Sequence, residues 1–170
     1  MPKGLKSTSS LITIGFITTE SAPDTYTQGR VDLQLNPLDN EVFVVQAIDL
    51  DPSSPNAQAG VNTRVDCALT TTSQTGMLNL SSTACLAKAE LDIRASGFVD
   101  GGVAFQKSSL ETPPTNLEYI GIIATNDFFV SIQGTGNGTV KRVAGKMYGY
   151  RARADASVYA ALVQSEVLSS

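Results

Sequence analysis

The chain is expected to fold as an all-β, antiparallel β-sandwich. Three observations carry that expectation. Apolar residues recur with a period of two, two further runs are apolar almost throughout, and clusters of Pro, Gly, Asn and Asp separate the runs.

The N-terminal stretch Leu11-Ile12-Thr13-Ile14-Gly15-Phe16-Ile17 follows Lys3 and Lys6 and superficially resembles a signal peptide. It is short, contains Thr and Gly, and lacks a small-x-small cleavage site, so it reads as a mature arm or first strand. Residues 1–20 are therefore taken as an N-terminal arm or first strand, and residues 21–170 as a single β-sandwich domain. No internal repeat or linker divides them.

Val31, Leu33 and Leu35 alternate with Asp32, Gln34 and Asn36, which predicts a half-buried strand closed by the turn Asn36-Pro37-Leu38-Asp39-Asn40. Val42 to Ile48 and Tyr119 to Ala124 are rich in β-branched residues and predict strands with little water on either face. Asp51-Pro52-Ser53-Ser54-Pro55-Asn56 closes the former, and Thr112-Pro113-Pro114-Thr115-Asn116 precedes the latter. Val61, Val65, Cys67 and Leu69 share one parity, against Asn62, Arg64, Asp66 and Thr70.

Asp100-Gly101-Gly102 predicts a tight hairpin, since glycine supplies the positive φ such turns need. Asn126-Asp127 breaks the Tyr119 strand from Phe128 to Gln133, and Gly134 to Gly138 forms the next loop. Two segments read otherwise. Ser81 to Glu90, with a serine cap and alanine interior, predicts a short helix. Ala156 to Gln164 suits a helix with Val158, Ala161, Leu162 and Ser165 on one face, and its rival is a final strand. Expected core positions are Val31, Leu33, Val44, Ile48, Val65, Leu69, Ile120, Ile122, Phe129 and Ile132.

Composition narrows the function. The 170 residues fit one domain, and only 16% are charged against about 25% in an average protein. Ser, Thr, Asn and Gln take their place, giving a surface that is less costly to desolvate and suits cover by neighbouring chains. The net charge of −4 argues against direct nucleic-acid binding, which needs a basic patch to displace counterions. Lys141, Arg142, Lys146, Arg151 and Arg153 form a local basic stretch that reads as a solvated strand face.

Histidine is absent, which removes Ser-His-Asp and Cys-His catalysis and His-ligated zinc. Cys67 and Cys85 are too few for a disulfide scaffold. They are read either as one bridge or as two buried thiols.

Few motifs suggest chemistry. Gly134-Thr135-Gly136-Asn137-Gly138 contains G-x-G-x-G but lacks the βαβ context of a dinucleotide site, so a hairpin loop is expected. Asp49-Leu50-Asp51 lacks calcium-loop spacing and reads as a polar loop end. Glu118 and Asp127 carry no mark of an acid-base pair. Asn79-Leu80-Ser81 and Asn137-Gly138-Thr139 match the glycosylation sequon. No catalytic, metal or cofactor residue is assigned, and no enzymatic activity is expected.

Lys146-Met147-Tyr148-Gly149-Tyr150-Arg151-Ala152-Arg153 places both tyrosines on one strand face with Lys146, since they lie two apart, and turns Met147, Gly149, Arg151 and Arg153 the other way. Tyr and Arg are favoured at interface hot spots, which makes the segment an interface stripe; core tyrosines with solvated arginines are the competing description. The candidate interface residues are Leu11, Ile12, Ile14, Phe16, Ile17, Tyr148, Tyr150, Arg151 and Arg153.

Ile120-Gly121-Ile122-Ile123-Ala124-Thr125-Asn126-Asp127-Phe128-Phe129-Val130 and Met147-Tyr148-Gly149-Tyr150-Arg151-Ala152 resemble single jelly-roll capsid proteins of tailless icosahedral double-stranded DNA viruses. The resemblance rests mainly on Leu117–Glu166, together with the chain's size and its run of strands. It implies an eight-stranded sandwich, a single jelly roll, repeated as a self-assembling homo-oligomer in the icosahedral capsid of a virion. It further implies contacts with other capsid proteins and an internal virion membrane, and supplies no catalytic residues. A rival from another class is a carbohydrate- or surface-binding β-module, fibre-tip or lectin-like, at an extracellular or cell-surface location. A third is a histidine-free glycoside hydrolase built on a carboxylate pair.

Overall fold

A computed structural model describes residues 1–97, 105–109 and 117–169. Among the described residues, ten strands form two antiparallel sheets. The first holds β1 (Leu5–Ser7), β2 (Ile12–Thr19), β4 (Glu41–Pro52), β8 (Gly121–Ile123) and β10 (Arg142–Ala154). The second holds β3 (Thr27–Asp32), β5 (Thr63–Thr70), β6 (Cys85–Arg94), β7 (Phe105–Ser109) and β9 (Asp127–Thr135), in the order β3-β9-β5-β6-β7. In the first sheet β10 is central: β4 and then β8 lie on one side, and β1 and β2 lie end to end on the other.

The pairs nest. β2 lies against β10, β3 against β9, β4 against β8 and β5 against β6, while the chain changes sheet at each step from β2 to β5 and again from β7 to β10. That nesting is the single jelly roll, and the all-β sandwich expected from the alternation is the fold of the chain. The one α-helix among the described residues, α1 (Ala156–Ser169), follows β10 directly, so the helical reading of the C-terminal segment prevails over the strand. Its N-cap is Asp155, whose carboxylate accepts from Val158 N at 2.9 Å and from Ser157 Oγ at 3.0 Å.

The main core lies between the sheets and includes Phe43, Val45, Val65, Cys67, Leu69, Phe128, Val130, Ile132, Val143 and Met147. Alternate residues of the same strands build a second cluster on the outer face of the first sheet. There Val42, Val44, Ala152 and Ala154 pack under Val158, Tyr159, Leu162 and Val163 of α1. The helix roofs half of that face. Glu166 fastens it by accepting Ala124 N at 2.8 Å and Thr125 N at 3.0 Å.

Several expectations need correction. Ser81–Glu90 is no helix, because Cys85 opens β6. Ala87 and Ala89 lie opposite Leu69 and Cys67, and that pairing overrides the helix propensity of alanine. Phe129 is not a core residue: with Val130 and Ile132 turned inward, period two sends Phe128 in and Phe129 out. Strand β3 ends at Asp32, so Leu33 and Leu35 are buried from an irregular segment in which Gln34 takes φ 54°.

Asp49 and Asp51 lie within β4 rather than at a loop end. The glycine-rich loop joins β9 to β10, crossing between sheets instead of closing a hairpin within one. Asp100-Gly101-Gly102 and Thr112–Asn116 lie outside the described residues. Cys67 and Cys85 are two buried thiols with no bridge between them.

Candidate functional site

The outer edge of β2 is the most distinctive exposed feature of the described residues. β2 pairs with β10 from Ile12↔Gly149 to Thr19↔Arg142 and, among the described residues, has no strand on its other side. Glu20 N donates to Lys141 O at 2.8 Å, which fixes the hydrogen-bonding parity. The even residues of β2 turn their backbone groups to β10, so Thr13, Gly15, Ile17 and Thr19 turn theirs to the open edge.

Side chains divide by the same parity. Ile12, Ile14 and Phe16 point between the sheets and pack on the main core. Thr13, Gly15, Ile17 and Thr19 are exposed, and Ile17 is 62% accessible. Proteins usually blunt such an edge with Lys, Pro, a bulge or a covering loop. From Leu11 to Thr19 there is no charge and no proline, and β2 pairs with β10 without a register shift.

The candidate interface residues sort into three groups. Leu11, Ile17, Tyr148 and Tyr150 lie on the outer side of the first sheet, and Leu11 is 61% accessible. Ile12, Ile14 and Phe16 are inner residues of the edge strand.

Arg151 and Arg153 have the opposite parity to the tyrosines. Arg151 donates to Leu33 O at 2.8 Å and Gln34 O at 3.1 Å and pairs with Glu41 at 3.1 Å, closing one end of the sandwich. Arg153 pairs with Asp39 at 3.1 Å. The stripe of Tyr and Arg is thus divided between two faces. The basic stretch is no single solvated face either, because Lys141 is buried and donates to Ser54 O and Asn56 Oδ1.

Beyond the helix, the outer face stays open. Across it run the rows Ile17–Ala144–Asp51, Gly15–Lys146–Asp49 and Thr13–Tyr148–Ala47. Gln46, the extra residue of β4 at a bulge, lies where this open half meets the roofed half. The Tyr148 hydroxyl is held above its ordinary value, first by desolvation and then by Asp49, to which it is hydrogen-bonded. A shallow depression of 370 Å³ beside Tyr150 is lined by Met1, Ser7, Ser9, Leu11, Gln46 and Glu118.

Sequence reasoning passed over Thr13, Gly15 and Thr19, the residues that form the open edge with Ile17. Their signal was the alternation Ile12-Thr13-Ile14-Gly15-Phe16, which assigns each of those side chains to a face.

Two polar clusters stand apart from this edge. On the second sheet, Arg64 lies among three carboxylates: it bonds Asp66 and approaches Glu90 at 3.5 Å and Asp92 at 3.9 Å. Desolvation, then a hydrogen bond with Asp92, raises the Glu90 pKa. The guanidinium sits among these groups, so they form an ion-pair network rather than two carboxylates facing an open cleft.

At one end of the sandwich, Asn137 is 1% exposed and spans three loops. It accepts Asn56 N at 2.9 Å, donates to Arg64 O at 2.8 Å, and its backbone N donates to Asp24 at 3.0 Å. The sequon at Asn137 is therefore folded inward, whereas Asn79 is exposed. Glu118 binds the N-terminal ammonium and Asp127 binds Arg30.

Comparisons with protein-family models, curated proteins and solved structures find no match for the chain.

Proposed function

We propose that the chain is a structural subunit, a capsid protein that assembles through the edge and outer face of its first sheet and carries out no chemistry of its own. The observation that supports this most is the open edge of β2, uncharged from Leu11 to Thr19, with Leu11 and Ile17 exposed beside it. Such an edge in a free monomer invites uncontrolled strand addition, so a covered edge is its stable state. The jelly roll is compatible with a shell but does not decide the matter, since one fold hosts many functions.

The partners on this reading are further copies of the chain, other capsid proteins and an internal virion membrane. Among the described residues no helix is long and apolar enough to cross a bilayer. Light scattering and electron microscopy of the purified chain test the proposal. Discrete closed particles or a defined oligomer support it, and a monomer at every soluble concentration overturns it.

A second reading draws on the depression beside Tyr150. Its one aromatic wall with Gln46, Ser7, Ser9 and Glu118 offers the stacking surface and polar groups of a small sugar site. Glycan-array binding lost in Tyr150→Ala, with the chain monomeric, would establish this reading in place of the first.

A further inference from the structure

We propose that the occupant of the β2 edge is the β2 strand of a second copy, running antiparallel about a two-fold axis through Gly15. The inference rests on the assembly reading above and names the partner and register of that contact.

The argument begins with backbone geometry. Thr13, Gly15, Ile17 and Thr19 direct N–H and C=O groups to the open edge. A strand added there must be matched in parity, so that inner residues face inner residues and outer residues face outer ones. With the axis at Gly15, the facing pairs are Gly15 with Gly15, Thr13 with Ile17, and Leu11 with Thr19. Each is a hydrogen-bonding pair of an antiparallel ladder and exchanges two bonds. Between them, Ile14 faces Phe16 and Ile12 faces Thr18, which continues the apolar inner surface of the sheet across the axis.

The side chains agree with the symmetry. A two-fold contact brings each charge near its own copy, and this strand has none between Leu11 and Thr19. Exposed Ile17 gains Thr13 of the second copy as a cross-strand neighbour, and exposed Leu11 gains Thr19.

Gly15 is the independent observation. Glycine within a strand weakens it and marks a bulge, a bend or the close approach of another backbone. Gly15 does not have a positive φ, its pairing with Lys146 shows no register shift, and a Cβ built on it meets nothing within 4 Å. Nothing among the described residues of its own subunit requires a glycine there, whereas the proposed axis brings two backbones together at that residue.

The test is symmetry-specific cross-linking of the full chain. In Gly15→Cys the two Cα atoms would stand about 5.5 Å apart, within disulfide reach. In Thr19→Cys they would lie at opposite ends of the paired segment, out of reach. Cys67 and Cys85 are buried and do not compete. Under mild oxidation, Gly15→Cys is expected to give a covalent dimer and Thr19→Cys none.

Ile17→Lys places a like charge in both copies at an exposed position. It should stay folded by circular dichroism and lose the dimer in sedimentation velocity. If the wild type assembles while Gly15→Cys fails to cross-link, or Ile17→Lys assembles normally, the proposed contact is wrong and the assembly reading stands. If the wild type never leaves the monomer, both fall.

Discussion

Phe16 on β2 meets Phe128 on β9 edge to face, with ring centroids 5.8 Å apart and planes at 76°. This contact joins the open edge of one sheet to the interior of the other. The edge strand is therefore part of the folding unit and not a detachable arm. Phe16→Ala should lower stability by about 2–3 kcal/mol, less than a fully buried phenylalanine because the ring is half-exposed. Chemical denaturation, with the shift in midpoint at constant slope, measures it.

Removal of the residues before Glu20 should unfold the domain. Ile12, Ile14 and Phe16 would leave the core, and β10 would lose the partner on one of its two sides along Arg142–Gly149. Loss of the β-sheet circular dichroism signal is the expected result. A truncated chain that stays folded would show that the second sheet and β4 suffice.

Reductant should leave the thermal midpoint unchanged, since Cys67 and Cys85 are unbridged. Burial pushes the Cys67 thiol up to about 12, so its thiolate is scarce at neutral pH. Alkylation followed by mass spectrometry should label Cys67 only at the rate of unfolding.

Glu166 supplies a pH test. Desolvation raises its pKa in spite of the amides of Ala124 and Thr125 that favour the ionised form. A raised carboxylate contributes stability that is full below its unfolded value, near 4.3, and is lost as pH rises through the folded value. The thermal midpoint of the wild type should therefore fall relative to Glu166→Gln as pH rises above that value. Scans across this range for both proteins check it, and a pH-independent difference would refute it.

Asn137→Ala should cost about 1–3 kcal/mol, because it strands Asn56 N and Arg64 O at a buried site. In a glycosylating host, any glycan should be found at Asn79 and not at Asn137. Peptide mapping distinguishes the two sequons.

The legible parts of the fold were those set by local pattern. Val65, Cys67 and Leu69 were correctly placed on the inner face, and the alanine-rich segment after Asp155 is a helix. What escaped was decided at long range. Ala87 and Ala89 look helical until Leu69 and Cys67 are placed across from them. Phe128 and Phe129 look alike until Val130 and Ile132 set which face is inner. The destination of the Gly134–Gly138 loop depends on which sheet receives β10, and no local residue specifies it.

The site followed the same division. Leu11 and Ile17 stood out as apolar residues near the terminus. Thr13 and Gly15 stood out only once β10 had taken up the other side of the strand. The opposite parity of Arg151 and Arg153 to the tyrosines was legible, but the partners of Arg151, the backbone carbonyls of Leu33 and Gln34, lie far away in the chain and no local pattern announces them.

Gly145 and Gly149 on β10 face the two sheet-lining phenylalanines. A Cβ at Gly145 would run into the backbone oxygen of Asp49 and come within 2.7 Å of the Phe16 ring, and one at Gly149 would run into the backbone oxygen of Val44 and come within 2.6 Å of the Phe43 ring. Each ring lies on bare backbone, as aromatic side chains do when they cover a glycine in a sheet. In evolutionary terms, the two glycines are held from two sides: thinning Phe16 or Phe43 alone would leave a backbone oxygen of β4 in the way of any new side chain. Descendants of this chain should therefore keep Gly145 and Gly149 while the rest of β10 drifts.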